Sequence, residues 1–265
     1  MLAAESPKKI VIIGAGNVAT HLAKRLQKKG YEILQIVSKH LTSAKELAPQ
    51  LNAAFTTDFK KINKQADIYL LCIPDDQIVK IASTLKLPGK LILHTSGSVA
   101  LDVLKKISVN TGVLYPLQSF SKQTKVSFSG MPILIEAGNK VSLDKLNLLA
   151  HSISKNVTVV NSGSRTKIHL AATMVNNFTN HIYTQAYDFL KKEKINSFHL
   201  LQPLIKQTVK KIKTLPPASV QTGPARRGDD STLKKHLSLL EKYPDQKQIY
   251  KLFTSLIKEY YEPKL

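Results

Sequence analysis

The stretch that decides the fold is KKIVIIGAGNVATHLAKRL at residues 8–26. The β-branched run at residues 10–13 predicts a short buried strand, and the amphipathic residues after the glycines predict a helix. Between them, Gly14, Gly16 and Ala19 have the spacing G-x-G-x-x-G/A of a dinucleotide-binding turn. The first glycine permits a tight turn, the second lets backbone approach a pyrophosphate, and the small third residue lets the helix pack on the strand.

The predicted helix would receive the pyrophosphate at its N-terminus, where unpaired backbone N–H groups and the helix dipole favour negative charge. We therefore predict a cofactor site that includes Asn17 and Val18 beside Gly14, Gly16 and Ala19. The alternative is a glycine turn in some other α/β protein. The order of strand, turn and helix favours the dinucleotide site.

The end of the second predicted strand, residues 31–37, indicates which dinucleotide binds. In the NAD form of this site a carboxylate ends that strand and binds the ribose hydroxyls. Here Ser38, Lys39 and His40 follow the strand, and none of them is acidic. Because a hydroxyl and a cation suit a 2′-phosphate, the sequence predicts NADP in preference to NAD, bound in part by Ser38 and Lys39. The alternative is that both are ordinary solvent-facing loop residues.

Length and composition predict a folded globular protein of one large or two ordinary domains. The chain has 265 residues, of which 43% are hydrophobic. No apolar run reaches the roughly 18 residues that a membrane span needs. Residues 1–7 lack a secretory pattern and are interpreted as a short tail. A single cysteine, Cys72, excludes an internal disulfide, so we expect a cytoplasmic protein. Cys72 lies in an apolar run, and its side chain is expected to pack inertly in the core.

The net charge of +21 does not predict nucleic-acid binding. The lysines form scattered pairs along the chain, and no aromatic residues are interleaved with them as a base-stacking platform requires. We expect a solvated lysine surface that attracts anionic ligands. Among the 39 basic residues, arginine occurs only at Arg25, Arg165, Arg226 and Arg227. These positions are predicted to need a planar fork that binds carboxylate or phosphate, with chance as the alternative.

Apolar runs and helical periods alternate as far as residue 160, which predicts parallel βαβ units. The predicted strands lie at residues 10–13, 31–37, 66–73, 90–94, 109–115, 132–137 and 157–160, and helices are predicted at residues 42–51, from Pro74 onward and at 141–154. Beyond them only helices are predicted, at residues 165–192, 197–215, 231–243 and 245–261, with a Pro/Gly-rich loop at 216–230. We therefore predict an α/β Rossmann dinucleotide-binding domain at residues 1–162 and an all-helical substrate and dimerisation domain at 163–265.

Ligands on open α/β sheets bind at the carboxyl ends of the strands. Three polar or turn-forming motifs lie at the carboxyl ends of predicted strands, namely Ile73-Pro74, HTSG at residues 94–97, and Tyr115-Pro116. We predict that Ile73, Pro74 and Ser96 contact the cofactor and that Tyr115 contacts the substrate. His94 is a candidate proton donor near neutral pH. The alternative for His94 is a strand-end histidine that caps the following turn.

The helical part carries further candidates. Lys167 and His169 lie near the start of its first helix and are candidate catalytic groups, as is Asn177. Asn176 is predicted to orient the substrate, and Arg226 and Arg227 to bind an anionic group on it. The alternatives are that Lys167 is an ordinary surface lysine and that Arg226 and Arg227 lie in an exposed connecting loop. We expect the principal groups to converge near the nicotinamide, namely His94, Ser96, Lys167, His169, Asn177 and Arg227.

The chain resembles a two-domain family in which a Rossmann-like domain precedes the domain of unknown function 2520. That family is distantly similar to pyrroline-5-carboxylate reductase and to the 6-phosphogluconate and hydroxyisobutyrate dehydrogenases. The resemblance lies in GAGNVA at residues 14–19, HTSG at 94–97, YPLQSF at 115–120, KIHLAATMVNN at 167–177 and TGPARRGD at 222–229. It implies an NADP-linked oxidoreductase whose C-terminal domain is of the 6-phosphogluconate dehydrogenase-like type and forms a homodimer. It implies no particular substrate.

The leading hypothesis is an NADP-dependent reductase of a small, anionic ketone, imine or hydroxy acid. Whether His94, Lys167 or His169 donates the proton is left open. The alternative is a non-catalytic NADP-binding sensor or partner-binding protein. A metal site is not predicted, because the eight histidines show no HxxxH or comparable ligand spacing.

Overall fold

A computed structural model describes residues 9–262, so the tail predicted at residues 1–7 lies outside the described part. Contacts divide the chain into two compact units, one ending at Asn176 and one beginning at Asn177. The domain boundary predicted after residue 162 stays a prediction. Within residues 9–262 no helix combines the length and apolarity that a membrane crossing needs.

The first unit is built on one eight-stranded sheet with the order β3-β2-β1-β4-β5-β6-β7-β8. The strands are β1 Lys9–Ile13, β2 Glu32–Val37, β3 Ala54–Thr56, β4 Ile68–Leu71, β5 Leu91–His94, β6 Thr111–Pro116, β7 Ile133–Ala137 and β8 Val157–Val159. The predicted α/β Rossmann class is confirmed. β3 was not predicted, because three half-exposed residues carry almost no periodicity.

One strand pair corrects the expectation of a wholly parallel sheet. β6 and β7 are antiparallel, whereas the other neighbours pair in parallel. A parallel connection needs a crossover of a dozen or more residues, usually through a helix. The connection at residues 117–132 contains no helix, so the chain returns alongside β6 in the opposite direction.

Helices cover both faces of this sheet. They are α1 Asn17–Gln27, α2 Leu41–Leu47, α3 Asp75–Thr84, α4 Lys140–Ile153 and α5 Ser162–Ala172. In β1, Ile10 and Ile12 belong to one core cluster and Val11 and Ile13 to the other, because side chains alternate across a strand. The central strands therefore read as unbroken apolar runs.

The helix predicted at residues 42–51 is wrong in its length. It ends at Leu47, and Pro49–Leu51 form a separate 3₁₀ turn, because proline lacks the N–H that an α-helix needs. The helix predicted at residues 165–192 is continuous in backbone conformation from residue 162 to 192, but it is not α-helical throughout. α5 gives way to a π-helical segment, Thr173–Phe178, where the Thr173 hydroxyl donates to the His169 carbonyl at 3.1 Å.

The second unit contains helices throughout its described length. They are α6 Thr179–Lys192, α7 Gln202–Ile212, α8 Pro224–Arg227, α9 Asp230–Leu239 and α10 Pro244–Tyr261, with 3₁₀ turns at Phe198–Leu201 and Pro217–Val220. The prediction of an irregular loop at residues 216–230 is therefore wrong, because two short helical segments lie in it. Asp229 caps α9 by accepting from the Thr232 backbone N–H, as its sequence position suggests.

Candidate functional site

Gly14 closes the turn after β1 in a conformation that only glycine tolerates. Its φ is +118°, and a Cβ at this position would lie 2.1 Å from the carbonyl oxygen of Cys72. The Gly14 backbone N–H donates to the Val37 carbonyl at 2.7 Å, which joins the turn to the end of β2. The first glycine of the motif therefore serves close packing between three neighbouring strands.

Gly16 lies at the N-cap of α1 and faces open space. Its φ of −83° is ordinary, no side chain caps the helix, and an added Cβ would meet nothing within 4 Å. Asn17 and Val18 begin the helix behind it, and Ala19 is fully buried in the core. The helix N-terminus thus offers its N–H groups to the space that a pyrophosphate requires, and the residues present fit that group.

A cleft of about 480 Å³ opens in front of this turn. Its walls include Gly14, Ala15 and Gly16, the residues after β2, and Ile73 and Pro74 after β4. The volume is typical of a cofactor or small-molecule site. Ile73 and Pro74 therefore lie where the sequence predicts a cofactor contact.

The residues after β2 supply hydroxyls and a cation to the cleft. The buried Ser38 accepts a hydrogen bond from the His40 backbone at 3.2 Å, which leaves its own proton for donation to a ligand. Lys39 Nζ donates to Gln77 Oε1 at 2.5 Å. This strand end carries no carboxylate, so it fits a 2′-phosphate better than a pair of ribose hydroxyls.

Sequence reasoning missed His40, Ser43, Asp76 and Gln77, which also line the cleft. The Asp76 carboxylate is held by the Gln77 amide at 2.5 Å, and this hydrogen bond lowers the pKa of Asp76. His40 and Ser43 follow the same strand end as Ser38, so the rule that located Ser38 also locates them. Gln77 offers no such signal, because its contact with Lys39 crosses between elements.

His94 ends β5 and is fully buried. Its Nδ1 accepts from the Ser96 backbone N–H at 3.1 Å, and its Nε2 has no partner among the described residues. Burial, with help from the Arg165 cation, lowers the pKa of His94 to about 3. The ring is therefore neutral at pH 7. This favours the alternative role, which is to cap the turn after β5, over that of proton donor.

Ser96 also organises this turn. Its Oγ accepts the backbone N–H groups of Ser98 at 3.0 Å and Val99 at 2.9 Å. The side chain is buried. Its predicted contact with the cofactor stays a prediction, since these hydrogen bonds already give it a structural role.

Tyr115 and His169 form a hydrogen-bonded pair beside the same turn. Tyr115 Oη lies 2.8 Å from His169 Nδ1, and the two rings meet edge to face at 5.6 Å. Gly97 lies against the imidazole so closely that a Cβ there would be 2.5 Å from His169 Cγ. These contacts bring three elements together at the carboxyl edge of the sheet, namely the end of β6 with Tyr115, the turn after β5 with Gly97, and α5 with His169.

Lys167 lies elsewhere on α5. It is two residues from His169, which places it on a different face of the helix, and its side chain is exposed. The expectation that Lys167 and His94 converge near the nicotinamide stays a prediction. Asn176 and Asn177 fall in the π-helical segment, where both are exposed to solvent and engaged in interactions.

The paired arginines lie on α8, and not in an irregular loop. The Arg226 guanidinium stacks on the Tyr261 ring at 4.0 Å. Arg227 is exposed, and its charge helps to lower the pKa of Asp229, after hydrogen bonds from Thr232. The roles of Arg226, Arg227 and Asn177 toward a substrate stay predictions. Within residues 9–262, no group of three or more His, Cys, Asp or Glu side chains is arranged to hold a metal ion.

The fold and the cleft at the glycine turn define a Rossmann-type protein of the dinucleotide-dependent oxidoreductase class. Residues 9–97 match the family described as NADP oxidoreductase, coenzyme F420-dependent, and residues 131–257 match the domain of unknown function DUF2520. The chain is 37% identical to a candidate NADP oxidoreductase from Bacteroides fragilis, with 97% of this chain and 100% of that one covered and a TM-score of 0.90. The chain belongs to this two-domain family. The resemblance stated from the sequence is confirmed, and so, at the level of the family, is NADP.

More distant structures share the fold. An imine reductase from Myxococcus stipitatus in complex with NADP+ is 17% identical, with 95% of this chain and 93% of that one covered and a TM-score of 0.67. A reductive aminase from Aspergillus terreus in complex with NADPH and ethyl levulinate is 14% identical, with 96% and 93% covered and a TM-score of 0.73. Both confirm a Rossmann domain followed by a helical domain. Among curated proteins, none matches the chain.

Proposed function

We propose that the chain is an NADPH-dependent reductase of a C=N or C=O bond in a small molecule. The observation that carries the proposal is the Tyr115–His169 hydrogen bond of 2.8 Å at the carboxyl edge of the sheet. The glycine turn lies at this same edge, where open α/β sheets bind their ligands. The names of the two distant relatives, an imine reductase and a reductive aminase, support the same reaction class.

NADPH supplies the hydride to the substrate carbon. As that carbon accepts the hydride, the π electrons move to the nitrogen or oxygen, and Tyr115 Oη donates a proton to that atom. A proton from solvent then restores the Tyr115 hydroxyl through the half-buried His169 imidazole, which gives a proton from Nδ1 to Tyr115 as its Nε2 takes one up. In this proposal Tyr115 donates the proton with His169 as its partner, and His94 and Lys167 are not the donors.

The proposal is tested by mixing the purified protein with NADPH and following absorbance at the nicotinamide band. The panel contains cyclic imines, neutral ketones and 2-oxo acids, and the last of these tests the predicted anionic substrate. Oxidation that depends on a panel member supports the reductase. Tight NADPH binding without turnover on any member overturns it and favours the non-catalytic NADP-binding sensor.

The 2′-phosphate site gives a prediction of its own. Replacing both Ser38 and Lys39 with alanine removes a hydroxyl donor and a cation, so NADPH affinity is expected to fall about 10- to 100-fold while NADH affinity changes little. Fluorescence titration with both nucleotides measures this. A matched control replaces Lys60 and Lys61 with alanine, which removes two cations that do not line the cleft. Equal losses for NADPH and NADH would contradict the assignment.

Gly97 gives a second prediction. Gly97→Ala places a Cβ 2.5 Å from His169 Cγ, so either the ring or the loop after β5 must shift, and the geometry of the Tyr115–His169 pair changes. Turnover is expected to fall about 10- to 100-fold, since displacements of 1 Å have effects of this size. Gly163→Ala on α5 is the control, because its Cβ would meet only Asn161 Oδ1, at an ordinary 3.6 Å. Unchanged turnover in the folded Gly97 variant would show that the contact is unimportant.

The second unit supports the homodimer predicted from the sequence. Only Leu233 and Leu240 are buried among residues 177–262. Its apolar cavity of about 630 Å³ is lined by α6, α9 and α10, and several large apolar side chains of the unit are exposed, among them Phe178, Leu204, Leu239, Leu252, Phe253 and Leu256. We propose that a second copy covers this surface. Light scattering tests it, and a monomer at micromolar concentration would refute it. The cytoplasmic location stays a prediction.

A further inference from the structure

Arg165 is a buried charge that the proposed reaction does not use. Among residues 9–262 it is the only lysine, arginine, aspartate or glutamate whose side chain is buried, and its exposure is 0%. A buried guanidinium is strongly unfavourable unless it is paired and hydrogen-bonded. Its position one helical turn before His169 places both on the same face of α5.

The partners of Arg165 come from three elements. Its Nη1 forms an ion pair with Glu136 on β7, and its Nη2 donates to the Val99 carbonyl in the loop after β5. Ser162, the first residue of α5, donates to the same Glu136 carboxylate at 2.8 Å. The Ser162 Oγ in turn accepts from the Leu101 backbone N–H at 3.1 Å.

This network fixes the start of α5 against the sheet and against the HTSG loop. Val99 lies two residues after Gly97, the glycine that contacts the His169 ring. The same arginine therefore determines where the imidazole lies and where the glycine that faces it lies. The hydrogen-bond partners of Arg165 are Glu136, Val99 and Ser162, so Arg165 acts on the pair through α5 and the loop.

We propose that Arg165 is a positioning residue, which holds His169 on the Tyr115 hydroxyl by joining α5, β7 and the loop after β5. The inference rests on the proposed reductase function and deepens it. Arg165 contacts neither the substrate nor the cofactor in this scheme. Its planar guanidinium can donate to the Glu136 carboxylate and to the Val99 carbonyl at the same time, whereas the single ammonium group of a lysine cannot.

The electrostatics at Tyr115 agree with this geometry. Burial raises the pKa of the Tyr115 hydroxyl above its usual value, the Arg165 cation opposes that rise, and the Asp75 carboxylate adds to it. His169 is the remaining titratable group at the hydroxyl. Loss of the Arg165 charge therefore raises the pKa of Tyr115 further and makes it a weaker acid.

Arg165→Lys keeps the charge but loses the fork. It is expected to lower kcat about 10-fold or more, with KM for NADPH unchanged and with the Tyr115 pKa nearly kept. Arg165→Met together with Glu136→Gln removes both charges and avoids leaving the Glu136 carboxylate, which is only 16% exposed, without its partner. This double variant is expected to lower kcat similarly and to shift the alkaline limb of the kcat profile upward.

NMR of ¹³C-tyrosine-labelled protein gives a readout that does not need turnover. The Tyr115 ring carbon, assigned with Tyr115→Phe, is expected to titrate at higher pH in the double variant. Arg25→Met is the matched control, because Arg25 donates to the Ile153 carbonyl at 2.8 Å and is not a partner in the Arg165 network. It should lower thermal stability without moving the Tyr115 resonance or the pH profile.

The outcomes separate the two proposals. If the folded Arg165 variants keep the wild-type kcat, pH profile and Tyr115 titration while Tyr115→Phe loses activity, the positioning role is wrong and the reductase stands. If Tyr115→Phe keeps full activity, the proposed proton donor is wrong. In that case, a Tyr115 resonance that still shifts in the Arg165 variants would show that Arg165 positions the Tyr115–His169 pair, although the pair is not the proton donor.

Discussion

Gly16→Val is expected to lower NADPH affinity at least about 100-fold, equivalent to roughly 2.7 kcal/mol, while the protein stays folded. The valine can adopt the glycine's extended backbone, and its Cβ would meet no protein atom within 4 Å. The side chain instead occupies the space in front of α1 that a pyrophosphate needs. Valine is a poorer N-cap than glycine, so the expected loss of stability is about 1 kcal/mol or less.

Fluorescence titration with NADPH and thermal unfolding measure the two effects separately. Gly130→Val is the matched control, since Gly130 is also unhindered and lies outside the cleft. It should change neither affinity nor fold. A Gly16→Val protein that binds NADPH with the wild-type affinity would show that the dinucleotide lies elsewhere.

Gly14→Ala, in contrast to Gly16→Val, should destabilise the fold itself. The added Cβ meets the Cys72 carbonyl at 2.1 Å, and the positive φ is itself strained for alanine. Strain of this kind costs about 1–3 kcal/mol before any displacement of β4. We therefore expect a lowered unfolding temperature as well as weaker binding. The two glycines of one motif thus separate a packing requirement from a ligand requirement.

The sequence predicts the cofactor cleft because each residue predicted for it lies within a few positions of a strand end. The glycine turn, Ser38 and the residues after β4 each follow directly from one apolar strand, and the carboxyl ends of parallel strands share an edge. Side-chain alternation and helix N-terminus chemistry then suffice to place a dinucleotide. Two helix features were predicted less well. They are the end of α2, which comes just before Pro49, and the π-helical segment that follows α5.

The contact between Tyr115 and His169 could not be predicted in this way. Tyr115 and His169 were both candidates, but their contact depends on how α5 packs against β6, which spacing along the chain does not encode. His94 shows the converse problem, since a strand-end histidine has the right position for catalysis and yet is buried and neutral. Arg165 was noticed for its rarity, and its expected carboxylate proved to be Glu136.

Tyr115→Phe is expected to lower kcat/KM about 10²- to 10⁴-fold, the usual contribution of a positioned general acid. The substitution keeps the half-buried ring and removes the hydroxyl that bonds to His169. NADPH affinity should be unchanged, because Tyr115 does not line the cofactor cleft. Replacing His169 with asparagine should give a smaller loss, since the tyrosine could still donate and would then be reprotonated by water.

The pH dependence of the wild-type protein follows from the same hydroxyl. Because burial raises the Tyr115 pKa above its usual value of 10.0, the group stays protonated through the neutral range. Reduction should therefore lose activity only on the alkaline side, above that value, and this limb should be absent from the residual activity of Tyr115→Phe. Stopped-flow measurement of single turnovers over pH 6–11 is the direct observation.

Tyr69→Phe is the control that makes this result specific. Tyr69 is buried in the sheet, its pKa is also raised by burial, and its hydroxyl donates to the Asn63 carbonyl at 2.8 Å. Removing that hydroxyl should cost about 1 kcal/mol of stability and leave turnover unchanged. If Tyr115→Phe behaves like Tyr69→Phe, with activity within about 3-fold of wild type, the Tyr115–His169 bond is structural. The proton must then come from another group or from water.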